Sequence, residues 1–440
     1  MNAVRFGKLV LIGLLTLIAA VALYRFTELR LDARPSGPIG PFLQSPAPDA
    51  ITVRWRSEEP TAERVFFRPE GASEWQAEGD GAMGTDHRVR LSGLAPATRY
   101  QYRLGDSAAS EPLASFRTSP APGDPGPHRL WLLGDPGVNN PVAHAVRDQS
   151  LAWMESNPIE EGRPLPDLIL TSGDNAYPSG RDRDFRDGFF ATYAEQLPFV
   201  PLWPAHGNHD ARRTAYERIF DLPTRGEAGG EPSGSEFYYS FDHGNAHFVV
   251  LDSEQHSLDP DGAMGRWLRQ DLARTEADWI IVIVHRAPFS RGSNDADEAS
   301  GSDWRQLDIR DRWMPILEQH GVDLIIAGHS HGYERSRMVG GFHTTADRFD
   351  DSFLMGDGNG SVDNPYRRPR RCDESCGTVY LVAGMSALPQ TGPLDHPMMA
   401  HSEATGGAVI LDIDGLELTG RYLRIDGSIG DHFSIVKSDP

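Results

Sequence analysis

Asp174 and Tyr177 stand three positions apart after Leu168-Ile169-Leu170-Thr171-Ser172-Gly173, an apolar run that stops at a glycine. Both side chains are hard oxygen donors. Tyrosine binds a cation as phenolate, and lowering a phenol pKa of about 10 needs a strong Lewis acid such as Fe(III). Taken alone, the segment also reads as a capped turn, with Asp174 holding backbone amides and Tyr177 packed. Four more apolar runs end the same way: Leu130–Leu133 before Asp135, Phe199–Trp203 before Asn208 and His209, Trp279–Val284 before His285, and Asp323–Ala327 before His329 and His331. One such coincidence carries little, but five at the same end of their runs predict a metal site. Oxygen and imidazole donors without thiolate suit Fe, Zn or Mn. Two cations about 3.5–4 Å apart clamp a phosphoryl group and activate water, so no serine or cysteine nucleophile is required. The sequence has neither a nucleophile-elbow pattern nor a Gly-x-x-x-x-Gly-Lys phosphate loop.

The elements that position these residues follow from patterning. The apolar runs read as strands of parallel sheets buried on both faces, which place chemistry beyond their carboxyl ends. Stretches with helical spacing at Val142–Met154, Gly265–Arg274 and Trp313–His320, and a polar, aromatic helix around Phe185–Tyr193, alternate with them. Phe237–Phe241 and Ala246–Asp252 flank Asp242-His243-Gly244-Asn245 and predict a hairpin. Together these give a layered α/β domain over 128–425, with 426–440 as a C-terminal tail. Upstream, Ile51–Arg56 alternates apolar and polar, and short strands recur at Arg64–Arg68, His87–Leu91, Arg99–Leu104 and Ala114–Thr118. They predict a β-sandwich over 47–120. Residues 31–46, rich in Pro and Gly, read as a linker.

The net charge of −21 over 440 residues argues against a general nucleic-acid binder, which needs a basic face. Arg367-Arg368-Pro369-Arg370-Arg371 is the local exception: it reads as an attractor for a polyanionic substrate or, preferred, as a solvated loop. Leu9–Tyr24 is uninterrupted apolar sequence behind Arg5 and Lys8, within a segment 1–30 that reads as an export signal or a retained membrane anchor. It is shorter than the roughly 20 residues of a comfortable span. Either alternative puts the body of the protein outside the cytoplasm, secreted, periplasmic or held at the envelope. Cys372 and Cys376 are the two cysteines, and an exported chain makes a local disulfide the default.

The five blocks, Gly134-Asp135-Pro136-Gly137, Gly173-Asp174-Asn175-Ala176-Tyr177, Gly207-Asn208-His209-Asp210, Val282-Ile283-Val284-His285 and Gly328-His329-Ser330-His331, resemble in order those of the purple acid phosphatases, members of the calcineurin-like metallophosphoesterases. Gly332-Tyr333-Glu334-Arg335 and Tyr239–Asn245 extend the resemblance, which spans Leu130 to about Leu423. The upstream Leu91–Leu104 segment is similar to the fibronectin type III pattern, and the family places such a sandwich before its catalytic domain.

The resemblance implies a phosphomonoesterase with water as the attacking group. Asp135, Asp174, Tyr177 and His331 would hold Fe(III). Asp174 would be shared with a second, divalent metal (Fe, Zn or Mn) that Asn208, His285 and His329 also hold. His209 would position or protonate the leaving group of a small phosphorylated substrate, with Asn208 as a further contact. Gly137 stands where many relatives carry a histidine. The segment after His285 lacks the family's further phosphate-contacting histidines; Arg286, Arg291 or Asn294 are the candidates to replace them, Arg286 foremost. His206 is left open between loop residue and substrate contact. A phosphodiesterase or pyrophosphatase on the same site is the nearest alternative function, and an envelope-anchored binding protein the distant one.

Overall fold

The computed structural model describes residues 35–105, 114–298, 304–372 and 376–438, together with Gly13 and Thr16. Apart from those two residues, the expected export signal or anchor lies outside them. No helix among the described residues is long and apolar enough to cross a membrane.

The amino-terminal sandwich packs a three-stranded sheet (Ile39–Ala47, Ala50–Ala62, Met83–Ser92) on a four-stranded one (Gln76–Glu78, Val65–Pro69, Arg99–Leu104, Ala114–Arg117). Alternate residues point inward, so Ile51, Val53 and Trp55 face Phe67, Tyr102 and Phe116 in one core. The Tyr100 hydroxyl accepts a bond from the Ala95 amide at 2.9 Å, closing the corner before its strand. The sandwich begins earlier than expected. Ile39–Ala47 is a strand paired antiparallel with Ala50–Ala62, so the linker reading of 31–46 fails from Ile39 onward. Pro41 and Pro46 hid it, and they are tolerated because this strand lies at a sheet edge, where an absent N–H costs no ladder bond. Buried polar contacts join the sandwich to the second domain: Arg56 Nη1 to Asp182 Oδ2 at 2.6 Å, and the Tyr102 hydroxyl to the Pro198 carbonyl at 2.9 Å.

The second domain is two seven-stranded sheets face to face. In the first, Leu202–Pro204, Leu168–Thr171 and His128–Leu133 run parallel as neighbours, followed by Gly407–Asp414, Glu417–Arg424, Ile429–Ser438 and Tyr366–Pro369. In the second, Ala246–Leu251, Trp279–Arg286, Leu324–Gly328 and Val379–Ala383 are parallel neighbours. The expected hairpin forms, with Tyr239–His243 paired antiparallel to Ala246–Leu251. One core fills the space between the sheets, with Trp131, Trp203, Ile281 and Ile326 in it. A second lies under the helices Ala263–Leu272 and Met314–Gln319 on the outer face. Each fully buried side chain of this size contributes about 1.5–3 kcal/mol.

Two further expectations are corrected. The expected tail over 426–440 is not separate in its described part: Ile429–Ser438 is a strand between Glu417–Arg424 and Tyr366–Pro369. Its inward positions include Lys437, which pairs with Asp323 at 2.7 Å inside the protein, so a charged residue masked the alternation. Arg367–Arg371 is not a solvated loop. Arg368 is buried against the same Asp323 at 3.0 Å, and Arg370 pairs with Asp278 at 2.6 Å. Cys372 and Cys376 are joined in a disulfide.

Candidate metal centre

Each block lies at its strand's carboxyl end, with His285 still inside the strand Trp279–Arg286 and the others just beyond theirs. Asp135, Asp174 and Asn208 come from three adjacent strands of the first sheet, and His285, His329 and His331 from two adjacent strands of the second. The two edges face each other, so the side chains converge. Asp135, Asp174 and His329 all sit in the left-handed region, at φ 51°, 53° and 65°. Non-glycine residues adopt this conformation at a cost, and its concentration here is typical of functional sites. Two glycines permit the close approach. A Cβ on Gly207 would lie 2.3 Å from Asp174 Oδ1, and one on Gly328 would lie 2.4 Å from Asp135 Oδ1.

The constellation has two halves. In one, Tyr177 Oη lies 3.2 Å from His331 Nε2, which is 3.2 Å from Asp135 Oδ2. In the other, His285 Nε2 lies 3.0 Å from Asn208 Oδ1, and the His285 and His329 rings are 5.2 Å apart. Asp174 touches both halves with different oxygens: Oδ2 accepts from Tyr177 Oη at 2.9 Å, and Oδ1 lies 3.5 Å from His285 Nε2. All seven residues read from the sequence as ligands are thus brought together.

Asp135 and Asp174 are fully buried and pair with histidines: Asp135 with His285 and His331, Asp174 with His209 and His285. Burial opposes ionisation of Asp174, but His285 and His209 outweigh it and lower its pKa. Burial likewise opposes protonation of His285 and His331, and the two aspartates outweigh it and raise both. Burial, reinforced by Asp135 and Asp174, pushes the Tyr177 phenol far above its ordinary range. Buried carboxylates crowded against a phenol and imidazoles fit a pair of cations, which would favour every deprotonated donor at once.

Groups behind the donors fix their aim. His285 Nδ1 donates to the Ser172 carbonyl at 2.8 Å, which leaves Nε2 facing Asn208 and Asp174. Asp210 Oδ2 accepts from the Asn175 amide, the Asn175 side chain and the Gly207 amide at 2.9–3.1 Å, tying the Asp174 loop to the Asn208 loop. Burial first, then Asp174, raises Asp210 to about 6. His209 donates from Nδ1 to the Pro178 carbonyl at 2.7 Å, while Nε2 lies 4.0 Å from Asp174 Oδ2.

The expectation for Arg286 is corrected. It is 2 % exposed; Nε and Nη2 engage Glu254 at 2.7 and 3.1 Å, and Nη1 lies 3.2 Å from His329 Nε2. Its guanidinium is a support beside His329 rather than an open phosphate contact. Asn294 donates to the His329 carbonyl at 2.6 Å, and Arg291 pairs with Asp295 and Asp395. His206 is a loop residue, after the strand Leu202–Pro204, and not an open contact: it is fully buried, 3.1 Å from Asp252 Oδ1, between Tyr216 and Phe237. Sequence reasoning gave no role to Asp210, Glu254, Asp252 or the Ser172 carbonyl. Asp210 was within reach as the residue closing the Gly207–Asp210 block; the other three carry no local signal.

Residues 128–333 match the calcineurin-like phosphoesterase family, and residues 38–118 match the purple acid phosphatase N-terminal domain. The chain joins a calcineurin-like phosphoesterase domain to a purple acid phosphatase N-terminal domain. The purple acid phosphatase relatives include purple acid phosphatase 23 of Arabidopsis thaliana, 30 % identical over 285 residues, which are 58 % of this chain and 58 % of that protein. Acid phosphatase type 7 of Homo sapiens is 26 % identical over 372 residues, 77 % of this chain and 75 % of that protein. The match thus spans little more than half of the first of these relatives. Among solved structures, purple acid phosphatase PPD1 from yellow lupin seeds superposes with a TM-score of 0.70 at 19 % identity, covering 92 % of this chain and 75 % of that one. PhoD superposes at 0.59 with 13 % identity, covering 91 % and 90 %. Both similarities are of fold.

Proposed function

We propose that the protein hydrolyses phosphomonoesters at a centre of two cations, Fe(III) and a divalent Fe, Zn or Mn. Asp174 carries this reading, because its two oxygens face two different donor sets. Asp135, Tyr177 and His331 would hold Fe(III) with it, and Asn208, His285 and His329 the divalent ion. When bound, such a pair supplies Lewis acidity toward a phosphoryl oxygen and an activated water. The remaining chemistry falls to the chain. His209, anchored through Nδ1, keeps Nε2 toward the site, where the doubly protonated ring hands its Nε2 proton to the leaving alkoxide and returns to the neutral form. Burial first, countered by Asp174, lowers the His209 pKa. Arg286, neutralised by Glu254, supports His329 from behind.

Export fits the Leu9–Tyr24 run and the Cys372–Cys376 bridge, since disulfides persist outside the reducing cytoplasm. The three-plus-four strand pairing and the Tyr100 corner support the fibronectin type III reading of the sandwich. Purified full-length protein provides the test, through metal analysis, a visible spectrum and hydrolysis of an aryl phosphate. The expected result is iron plus a second metal, turnover, and a broad charge-transfer band that Tyr177→Phe abolishes. Bound iron without such a band, or a band indifferent to the substitution, contradicts Tyr177 as a ligand.

A further inference from the structure

We infer that a second, structural cation site of the zinc type lies at the opposite end of the same strands, held by His128, Asp167 and His243. His128 opens the strand His128–Leu133, Asp167 immediately precedes Leu168–Thr171, and His243 ends Tyr239–His243 in the other sheet. One potential ligand atom from each lies within 4.8 Å of the other two. The imidazoles meet edge to face, with centroids 5.0 Å apart. They border a cavity of about 130 Å³ that Thr118 of the sandwich and Asp124 of the interdomain link also line. The site is separate from the Asp174 centre: six residues, most of them in the strand His128–Leu133, lie between His128 and Asp135, about 20 Å at 3.3 Å per residue.

His243 is the independent observation. It is 4 % exposed, and neither ring nitrogen has a hydrogen-bond partner among the described residues. Buried polar groups are nearly always paired, so an orphaned imidazole beside a cavity marks a missing ligand. Asp167 takes one bond on each oxygen, from the Arg129 amide at 2.8 Å and Arg163 Nη2 at 2.7 Å. A carboxylate oxygen has a second lone pair, so Asp167 still has donor capacity. Two imidazoles and one carboxylate are a common zinc set, with water or the Asp124 carboxylate as fourth ligand. The bound ion would join both sheets at the junction with the sandwich.

The site does not depend on the phosphoesterase reading. Full-length wild type and His243→Phe are loaded with Zn²⁺, desalted, and assayed for zinc per chain and for aryl phosphate hydrolysis. The expected result is one zinc fewer in the variant, with hydrolysis unchanged. Equal zinc content overturns the inference. A larger loss accompanied by lost hydrolysis also overturns it, because His243 would then act on the other centre. If His243→Phe does not fold, His128→Gln is read by the same criteria.

Discussion

The strands His128–Leu133 and Leu168–Thr171 end very differently at their two tips. At the carboxyl tips, Asp135 and Asp174 are buried in left-handed backbone, with imidazoles and a phenol pressed around them. At the amino tips, His128 opens its strand and Asp167 sits at a bend just before its own, neither in left-handed backbone, and both already hold protein partners: the Asp124 carbonyl lies 3.0 Å from His128 Nε2, and Asp167 pairs with Arg163. The same sheet thus supports a strained centre with shared donors and a relaxed one with a single orphan, His243. Strain and unshielded buried charge accumulate where chemistry is placed, whereas a site that merely fastens elements tolerates satisfied neighbours.

The sharpest way to break this contrast is at the carboxyl end. His209→Ala is expected to keep both metals while turnover falls about 10²–10⁴-fold, the usual range for a general acid. Metal analysis beside steady-state kinetics checks it, and loss of metal in step with activity would make His209 a structural residue.

A single histidine near the amino end gives the next effect. His247 lies between Asp242 at 2.7 Å and Asp271 at 2.9 Å. Burial opposes its protonation, but the bonds to the two carboxylates prevail and hold its pKa at about 9. A raised folded-state pKa gives stability that is full below the unfolded value of about 6.5 and is lost as pH rises through about 9. The loss is on the order of 3 kcal/mol for the fully buried group. Urea unfolding at pH 7 and pH 9.5 is expected to show it, with a flatter slope in His247→Ala. An equal slope in the two proteins would contradict the assignment.

The smallest effect tests the groups behind the donors. Glu254→Gln weakens the hold on Arg286 beside His329, and such outer contacts typically change metal affinity by about 10–100-fold. Competition with a chelator should show weaker divalent binding with the tyrosinate colour retained. Unaltered affinity would leave Glu254 and Arg286 as packing.

Much of this architecture is legible in the sequence because apolar runs ending in Asp, Asn or His report strand and ligand together. Buried strands such as Leu168–Thr171 have no polar face to obscure them, and their register carries Asp174 beside Asp135 and Asn208. Legibility fails where long-range partners decide the outcome. Ile39–Ala47 and Ile429–Ser438 are strands whose Pro, Gly and Lys residues are excused only by edge position or by a distant carboxylate such as Asp323. Arg286 looked available for phosphate because Glu254, 32 positions earlier, is invisible from its own segment. His128, Asp167 and His243 are far apart in sequence and share no motif, so only the fold places them together.

The claim on which the rest turns is that Asp174 is shared by two cations. Asp174→Asn keeps the shape and removes the charge that offsets both. The decisive measurement is metal content per chain on Asp174→Asn beside Asn208→Ala, with visible absorption and aryl phosphate turnover read on the same samples. Sharing predicts that Asp174→Asn loses both metals of the centre, or their magnetic coupling, and nearly all turnover. Asn208→Ala should weaken only the divalent position and keep the iron–tyrosinate band. An Asp174→Asn protein with two coupled metals and near-normal turnover would contradict the dimetal account.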